Sequence, residues 1–265
     1  MIKTIGFLGC GNMGGALTKA LSKATKDILI TDRSGKAKHL AEELGLRYAS
    51  GEEIVRECDR IFLAVKPHMM EELLAPLRPQ LRQRRPVLIS MAAGLTVAQI
   101  EQMAGGDLPV IRIMPNTPVA VGQGMTQYCH NALVTEEDLR SFLEDMRFSG
   151  RLDELEERLM DAASALSGCG PAYMYLLIEA LADGAVACGI PRAKALEYAA
   201  ATMIGAGEMV LATGMHPGAL KDAVCSPGGS TIAGVRALEQ HGFRAAAMDC
   251  VAAAYEKNRQ LGKGK

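Results

Sequence analysis

Near the start of the chain, Gly9-Cys10-Gly11-Asn12-Met13-Gly14 follows the pattern G-x-G-x-x-G. The first glycine permits a tight turn, the second lets backbone approach a pyrophosphate, and the third lets a helix pack closely on a strand. The helix N-terminus then offers unpaired N–H groups and a positive dipole end to phosphates. Alone, such a run could equally be a turn that holds nothing. Its setting favours a dinucleotide: an apolar β-branched run over residues 2–8 precedes it, and a helical pattern follows over about residues 13–24. A second strand ends about 20 residues later at Asp32, where the acid for a ribose hydroxyl belongs.

The residues after that second strand bear on cofactor choice. Asp32 suits the ribose diol of NAD, whereas Arg33 and Ser34 are donors of the kind that receive the 2′-phosphate of NADP. The balance leans to NADP(H), with NAD(H) as a second cofactor. Three later loops follow strands, where a doubly wound fold places its ligands. They are Ala64-Val65-Lys66-Pro67, the segment Ser90 to Gly94 with Ala92, Ala93 and Gly94, and the segment Met114 to Pro118 with Asn116. Lys66 reads as a surface lysine at a helix start or as a counter-ion. Lysine is slightly unfavourable at that end of a helix, which tilts the reading towards an anion nearby.

In the second half, His216-Pro217-Gly218 leads to Ser226-Pro227-Gly228-Gly229-Ser230-Thr231, with a helical pattern resuming at about Ile232. Taken alone, this is a turn in which Ser230 or Thr231 caps the next helix. The same geometry presents backbone N–H groups to a carboxylate.

Alternating strands and helices must position the first set of residues. Strand-like runs cover residues 2–8, 28–32, 60–65, 86–90 and 109–113, with helical patterns such as 36–44 between them; Pro67 can open a helix. This alternation implies βαβ units and a parallel sheet. Past about residue 158 the strand signals stop, and Ala, Leu and Met dominate stretches such as 180–187 and 193–212, predicting an all-helical domain. The expected division is therefore residues 1–158 and 159–265. The uncharged run 162–178 raises the question of a membrane span. It falls short of the usual length and contains Gly168, Gly170 and Pro171, so it is expected to be a turn followed by a buried helix, with no membrane partner. The basic run 82–85 reads as a solvated helix end. A helical domain so rich in apolar residues suggests association into a homodimer or a larger assembly.

Composition excludes several classes. A net charge of −1 gives no nucleic-acid footprint, and the absence of Trp removes the best base-stacking side chain. Seven cysteines, odd in number and without a C-x-x-C pair, fit neither a zinc site nor a secreted disulfide framework. Reduced thiols in the cytoplasm are expected, with no metal. The apolar run at the N-terminus is too short for a signal peptide.

Together the motifs resemble pyrroline-5-carboxylate reductase along nearly the whole chain. The likeness rests on the fingerprint, on 64–67, on Arg112-Ile113-Met114-Pro115-Asn116-Thr117-Pro118, on the run from Asp161 to Tyr173, and above all on the block from His216 through Ser226 to Gly234. The resemblance implies a Rossmann-type α/β dinucleotide-binding domain followed by an all-α C-terminal dimerisation domain, interlocked as a dimer and assembled further into a ring such as a decamer. It implies NAD(P)H-dependent reduction of 1-pyrroline-5-carboxylate to L-proline. The substrate carboxylate would be held by Ser226, Gly228, Gly229, Ser230 and Thr231, and the Thr231 hydroxyl would bond the ring nitrogen. Two departures stand out: Asp32, where NADP-preferring members carry a neutral residue, and Cys169 in place of a usual serine. Because a cyclic imine can arrive protonated from water, such an enzyme needs positioning more than a strong general acid. A β-hydroxyacid dehydrogenase resembles the same plan but carries a catalytic lysine after its glycine-rich turn, where this chain has Met174. A dinucleotide-sensing regulator would have no need of the 226–231 block.

Overall fold

Short β-branched runs bounded by Gly, Pro and Asp make the strands. The computed structural model describes residues 4–262, so Ile2 and Lys3 of the expected first strand lie outside the described residues. The strands are β1 (Ile5–Leu8), β2 (Ile28–Thr31), β3 (Arg47–Tyr48), β4 (Arg60–Leu63), β5 (Val87–Ser90), β6 (Val110–Met114), β7 (Gly124–His130) and β8 (Gly150–Glu154). They form one sheet in the order β3-β2-β1-β4-β5-β6-β7-β8. Pairing is parallel from β3 to β6, β7 runs antiparallel to β6, and β8 is parallel to β7. Leu8 is in register with Thr31 on one side and Leu63 on the other, and Leu63 with Ser90. The loops after four strands therefore emerge in one row. The order reverses between β1 and β4, the switch point at which doubly wound sheets bind ligands.

The helices of this unit are α1 (Asn12–Leu21), α2 (Lys36–Leu44), α3 (Gly51–Glu57), α4 (Met70–Leu74), α5 (Arg78–Arg84), α6 (Val97–Ala104), α7 (Glu136–Asp145) and α8 (Met160–Ala163). They cover both faces of the sheet. One core cluster gathers Leu63, Leu74, Leu81 and Ile100; the other gathers Phe7, Leu17, Ile30, Phe62 and Phe142. Phe7 and Phe62, neighbours on β1 and β4, stack with ring centroids 4.5 Å apart. Each such buried side chain contributes about 1.5–3 kcal/mol. The basic run 82–85 does more than face solvent: Arg82 Nε donates to Gly105 O at 2.8 Å, and Arg78 Nε to Met103 O at 2.8 Å, closing the C-terminus of α6.

Contacts divide the chain into two compact units. One runs to Cys169 and regains the chain from Ala254 onward; the other is Gly170–Ala253. The change of texture near residue 158 follows β8, but the turns from Met160 onward remain with the sheet unit. A polar seam holds them. Buried Arg112 on β6 pairs with Asp161 at 2.8 Å and Glu157 at 3.3 Å. Asn116 Nδ2 donates to Ser167 O at 3.0 Å, Ser167 Oγ to Gln127 Oε1 at 2.9 Å, and Asn258 Nδ2 to Asp161 O at 3.0 Å.

The second unit contains α9 (Gly170–Ala187), α10 (Arg192–Thr213), α11 (Pro217–Ala223), α12 (Ser230–Gln240) and the greater part of α13 (Phe243–Gly262). One expectation holds here and one is corrected. A turn does precede α9: the π-helical stretch Ser164–Gly168 ends at Cys169, a single turn residue with α-helical dihedrals. Pro171 fits because its missing N–H falls in the first turn of α9. But α9 is not buried. Of Gly170–Ala253 only Ala182 and Ala195 are buried, while Leu176 is 68% and Tyr175 60% exposed. Neighbouring helices within the chain cover too little of these apolar faces. By length and composition alone, Glu157–Ala187 could cross a membrane.

Candidate active site

Of the helices α1 to α8, three start on a capping side chain. Ser50, Thr96 and Thr135 open α3, α6 and α7 with reciprocal capping boxes, which satisfy N–H groups of the first turn. Helix α1, like α2, α4, α5 and α8, has no such cap. It starts from extended Gly11 with no side chain at its end, and its ladder begins only with Gly15 N donating to Gly11 O at 2.8 Å. The earlier N–H groups are left for a ligand.

The glycines around this start have separate jobs. Gly9 has φ +108°, and a Cβ there would lie 2.6 Å from Ala64 O. A Cβ on Gly14 would meet Gly9 O at 2.5 Å and Ala64 Cβ at 2.9 Å, so only glycine lets α1 sit this close to β1 and β4. A Cβ on Gly11 would meet nothing within 4 Å. That open space belongs to a cavity of about 720 Å³ at the C-terminal ends of β1, β2, β4 and β5.

The cavity brings together Gly9, Cys10, Gly11, Asn12, Met13 and Gly14 with Asp32, Arg33, Ser34, Ala64, Val65, Lys66, Pro67, Ala92 and Ala93. Two candidate cofactor residues do not line it. Gly94 turns the chain just beyond, with φ +78°. Asn116 is buried, and its amide is spent on Ser167 O and on Met125 N, each at 3.0 Å. Its position after β6 suggested a ligand contact, whereas its partners give it a structural task. Met91 and Thr117, in two of the loops expected to face a ligand, line it too, as do Thr31, Gly51, Met69 and Leu73, which lie outside those loops. Met69 and Leu73 could have been found from their four-residue spacing after Pro67, which puts both on one helical face.

The electrostatics at the β2 end are specific. Asp32 Oδ2 accepts from Ser34 Oγ at 2.6 Å, while Asp32 Oδ1 is buried without a hydrogen-bond partner. A buried carboxylate oxygen left unpaired is costly and calls for a donor such as a sugar hydroxyl. Burial pushes the Cys10 thiol up to about 12, so it is a neutral wall of the cavity and no nucleophile. With the uncapped helix start and the space beside Gly11, these features fit the phosphates and ribose of a dinucleotide.

The candidate substrate residues Ser226, Gly228, Gly229, Ser230 and Thr231 lie in the other unit, between α11 and α12. Neither Ser230 nor Thr231 caps α12. Gly229 takes the N-cap position with φ −77° and ψ 169° and no side-chain bond, making Ser230 the first helical residue. This start too is left with unsatisfied N–H groups, and the Thr231 side chain is exposed on the first turn. Among the described residues no cluster of His, Cys, Asp and Glu could hold a metal ion.

Comparison with known proteins fits both halves. Residues 157–261 match the family model described as pyrroline-5-carboxylate reductase dimerisation, and residues 4–94 match that described as NADP oxidoreductase, coenzyme F420-dependent. Over 99% of its length the chain is 42% identical to the whole of pyrroline-5-carboxylate reductase from Escherichia coli. The chain belongs to the pyrroline-5-carboxylate reductase family. The Pisum sativum reductase is 39% identical over 97% of this chain and 96% of its own. The crystal structure of Plasmodium falciparum pyrroline carboxylate reductase with NADP bound superposes with a TM-score of 0.89 at 36% identity, covering 98% of each chain. That of the Streptococcus pyogenes reductase gives 0.87 at 35%, covering 97% and 98%. The Rossmann-type sheet and the helical C-terminal half are thus the architecture of this reductase family.

Proposed function

We propose that this chain reduces 1-pyrroline-5-carboxylate to L-proline, with NADPH as the preferred reductant and NADH as a second. The observation that carries the reading is the uncapped start of α1 opening on the cavity at the sheet's switch point, in a full-length relative of reductases of that name. When bound, the dinucleotide supplies a hydride to the C=N carbon. The residues of this chain do the positioning. The N–H groups at the start of α1 hold phosphate, Asp32 Oδ1 accepts from a ribose hydroxyl, and Arg33 with Ser34 receives a 2′-phosphate. Loops 64–67 and 91–93 flank the nicotinamide end.

The substrate carboxylate is read onto the N–H groups of Ser226, Gly228, Gly229 and Ser230, with the Thr231 hydroxyl bonding the ring nitrogen. No side chain needs to deliver a strong acid, because the imine can arrive protonated. The domain roles follow: residues 1–158 for the dinucleotide and residues 159–265 for substrate and self-association. The exposed apolar faces of α9 and α10 are covered by a second copy of the chain in a homodimer, which can assemble into a ring. Glu179 and Asp183 within the apolar stretch favour protein over lipid as that cover. A cytoplasmic enzyme without a nucleic-acid partner completes the reading.

The test is loss of the near-ultraviolet absorbance of NADPH on adding 1-pyrroline-5-carboxylate, repeated with NADH. Rapid turnover, faster with NADPH, is expected. No turnover by protein that binds NADPH would overturn the substrate assignment.

A further inference from the structure

The pocket rim at the end of β2 carries an ion pair that joins two walls of the cavity. Arg33, in the loop after β2, places Nη2 2.9 Å from Oε1 of Glu72 on α4. Met69 and Leu73, on either side of Glu72 in sequence, both line the cavity, as does Arg33. The Glu72 side chain is 66% exposed.

We infer that Glu72 is a specificity-determining residue that competes with a cofactor's 2′-phosphate for Arg33. The inference rests on the dinucleotide reading of this cavity and on Arg33 as the phosphate donor. A guanidinium binds carboxylate and phosphate with the same fork of donors, so one occupant displaces the other. The rim also holds two carboxylates, Asp32 and Glu72, against the single guanidinium of Arg33. Asp32 Oδ1, buried and unpartnered, favours a hydroxyl donor over an anion. This charge balance penalises a phosphate dianion relative to a free ribose diol, and so admits both dinucleotides. Glu72 does not itself line the cavity; it acts through Arg33.

Calorimetric binding of adenosine 2′,5′-bisphosphate and of 5′-AMP tests this without turnover. In Glu72→Gln the bisphosphate should bind about two- to fivefold tighter, the scale set by an exposed pair, while AMP is unchanged. The gain should shrink as salt rises. It should vanish in an Arg33→Ala background. Glu71→Gln, which removes a charge from the same helix but pairs with Arg78 instead, should show no gain. An unchanged ratio of the two affinities, weaker bisphosphate binding, or the same gain without Arg33 would overturn the role of Glu72. If the wild-type chain bound neither fragment, the dinucleotide reading itself would fall and this inference with it.

Discussion

Asp161 Oδ1 lies 2.8 Å from Nη2 of Arg112, a guanidinium only 3% exposed on the central strand β6. The pair fastens the first turns of the long helical segment to the sheet. Glu157 shares the load, taking Arg112 Nη1 at 3.3 Å and the N–H of Val97 at 2.7 Å.

Breaking this pair from the acid side should cost more than removing the base. Asp161→Ala leaves a buried cation with one partner, and a loss of roughly 1–3 kcal/mol is expected, below the range for fully buried pairs because Asp161 is partly exposed. Arg112→Met leaves two acids that water can reach and should cost less. Urea unfolding of both variants checks the order; equal costs would mean that the interaction does not anchor the segment.

Gly11 and Gly14 should respond to alanine in opposite ways. The added methyl at Gly14 collides with Gly9 O and Ala64 Cβ, so Gly14→Ala should destabilise by about 1–3 kcal/mol. The methyl at Gly11 has open space, so Gly11→Ala should unfold within about 0.5 kcal/mol of the parent. It should nonetheless bind dinucleotide at least roughly tenfold more weakly, because it narrows the approach of phosphate to backbone. Thermal melts with calorimetric binding separate the two effects.

Thr231→Ala should lower kcat/KM with 1-pyrroline-5-carboxylate by roughly tenfold to a thousandfold, the loss of one placed hydrogen bond. Thr231→Ser, which keeps the hydroxyl, should recover most of it. Dinucleotide affinity should stay unchanged in both. Parental kinetics in the alanine variant would remove this hydroxyl from the mechanism.

Alkali should weaken the fold through its buried thiols. Burial pushes Cys10 and Cys58 up to about 12 and Cys129 to about 11, from an ordinary value of 9.0. A folded value above the unfolded one means stability that is complete below pH 9.0. It drains away as pH rises towards the folded values, because only the unfolded thiols ionise in that window. The urea midpoint should fall between pH ~8 and pH ~10.5, and less steeply in Cys58→Ala. A midpoint independent of pH in both would refute this.

Much of the sheet was legible because β1, β2, β4, β5 and β6 are buried on both faces and so appear as apolar runs between Gly, Pro and Asp. The three others were not. β3 has two residues, β8 carries Arg151, Asp153 and Glu154 at the sheet's edge, and β7 buries Thr126 and Gln127 among its apolar positions. The fingerprint and the loops at 32–34, 64–67 and 92–93 were legible as lining of one cavity because each follows a strand of the parallel sheet. Asn116 was not, since its partners Met125 and Ser167 are supplied by distant elements. Composition marked the second half as helical, but an apolar helix face does not say what will cover it. That is why α9 was expected to be buried and is exposed.

The chain passes between its two units twice: at Cys169, a turn residue whose N–H still donates to Ser164 O at 3.0 Å, and within α13 on the way back. Neither passage offers the extended, solvated backbone that a protease needs. A helix that straddles a boundary also cannot melt on one side without fraying on the other. Two units by contact, they should therefore resist separation by limited digestion and lose structure in a single cooperative step.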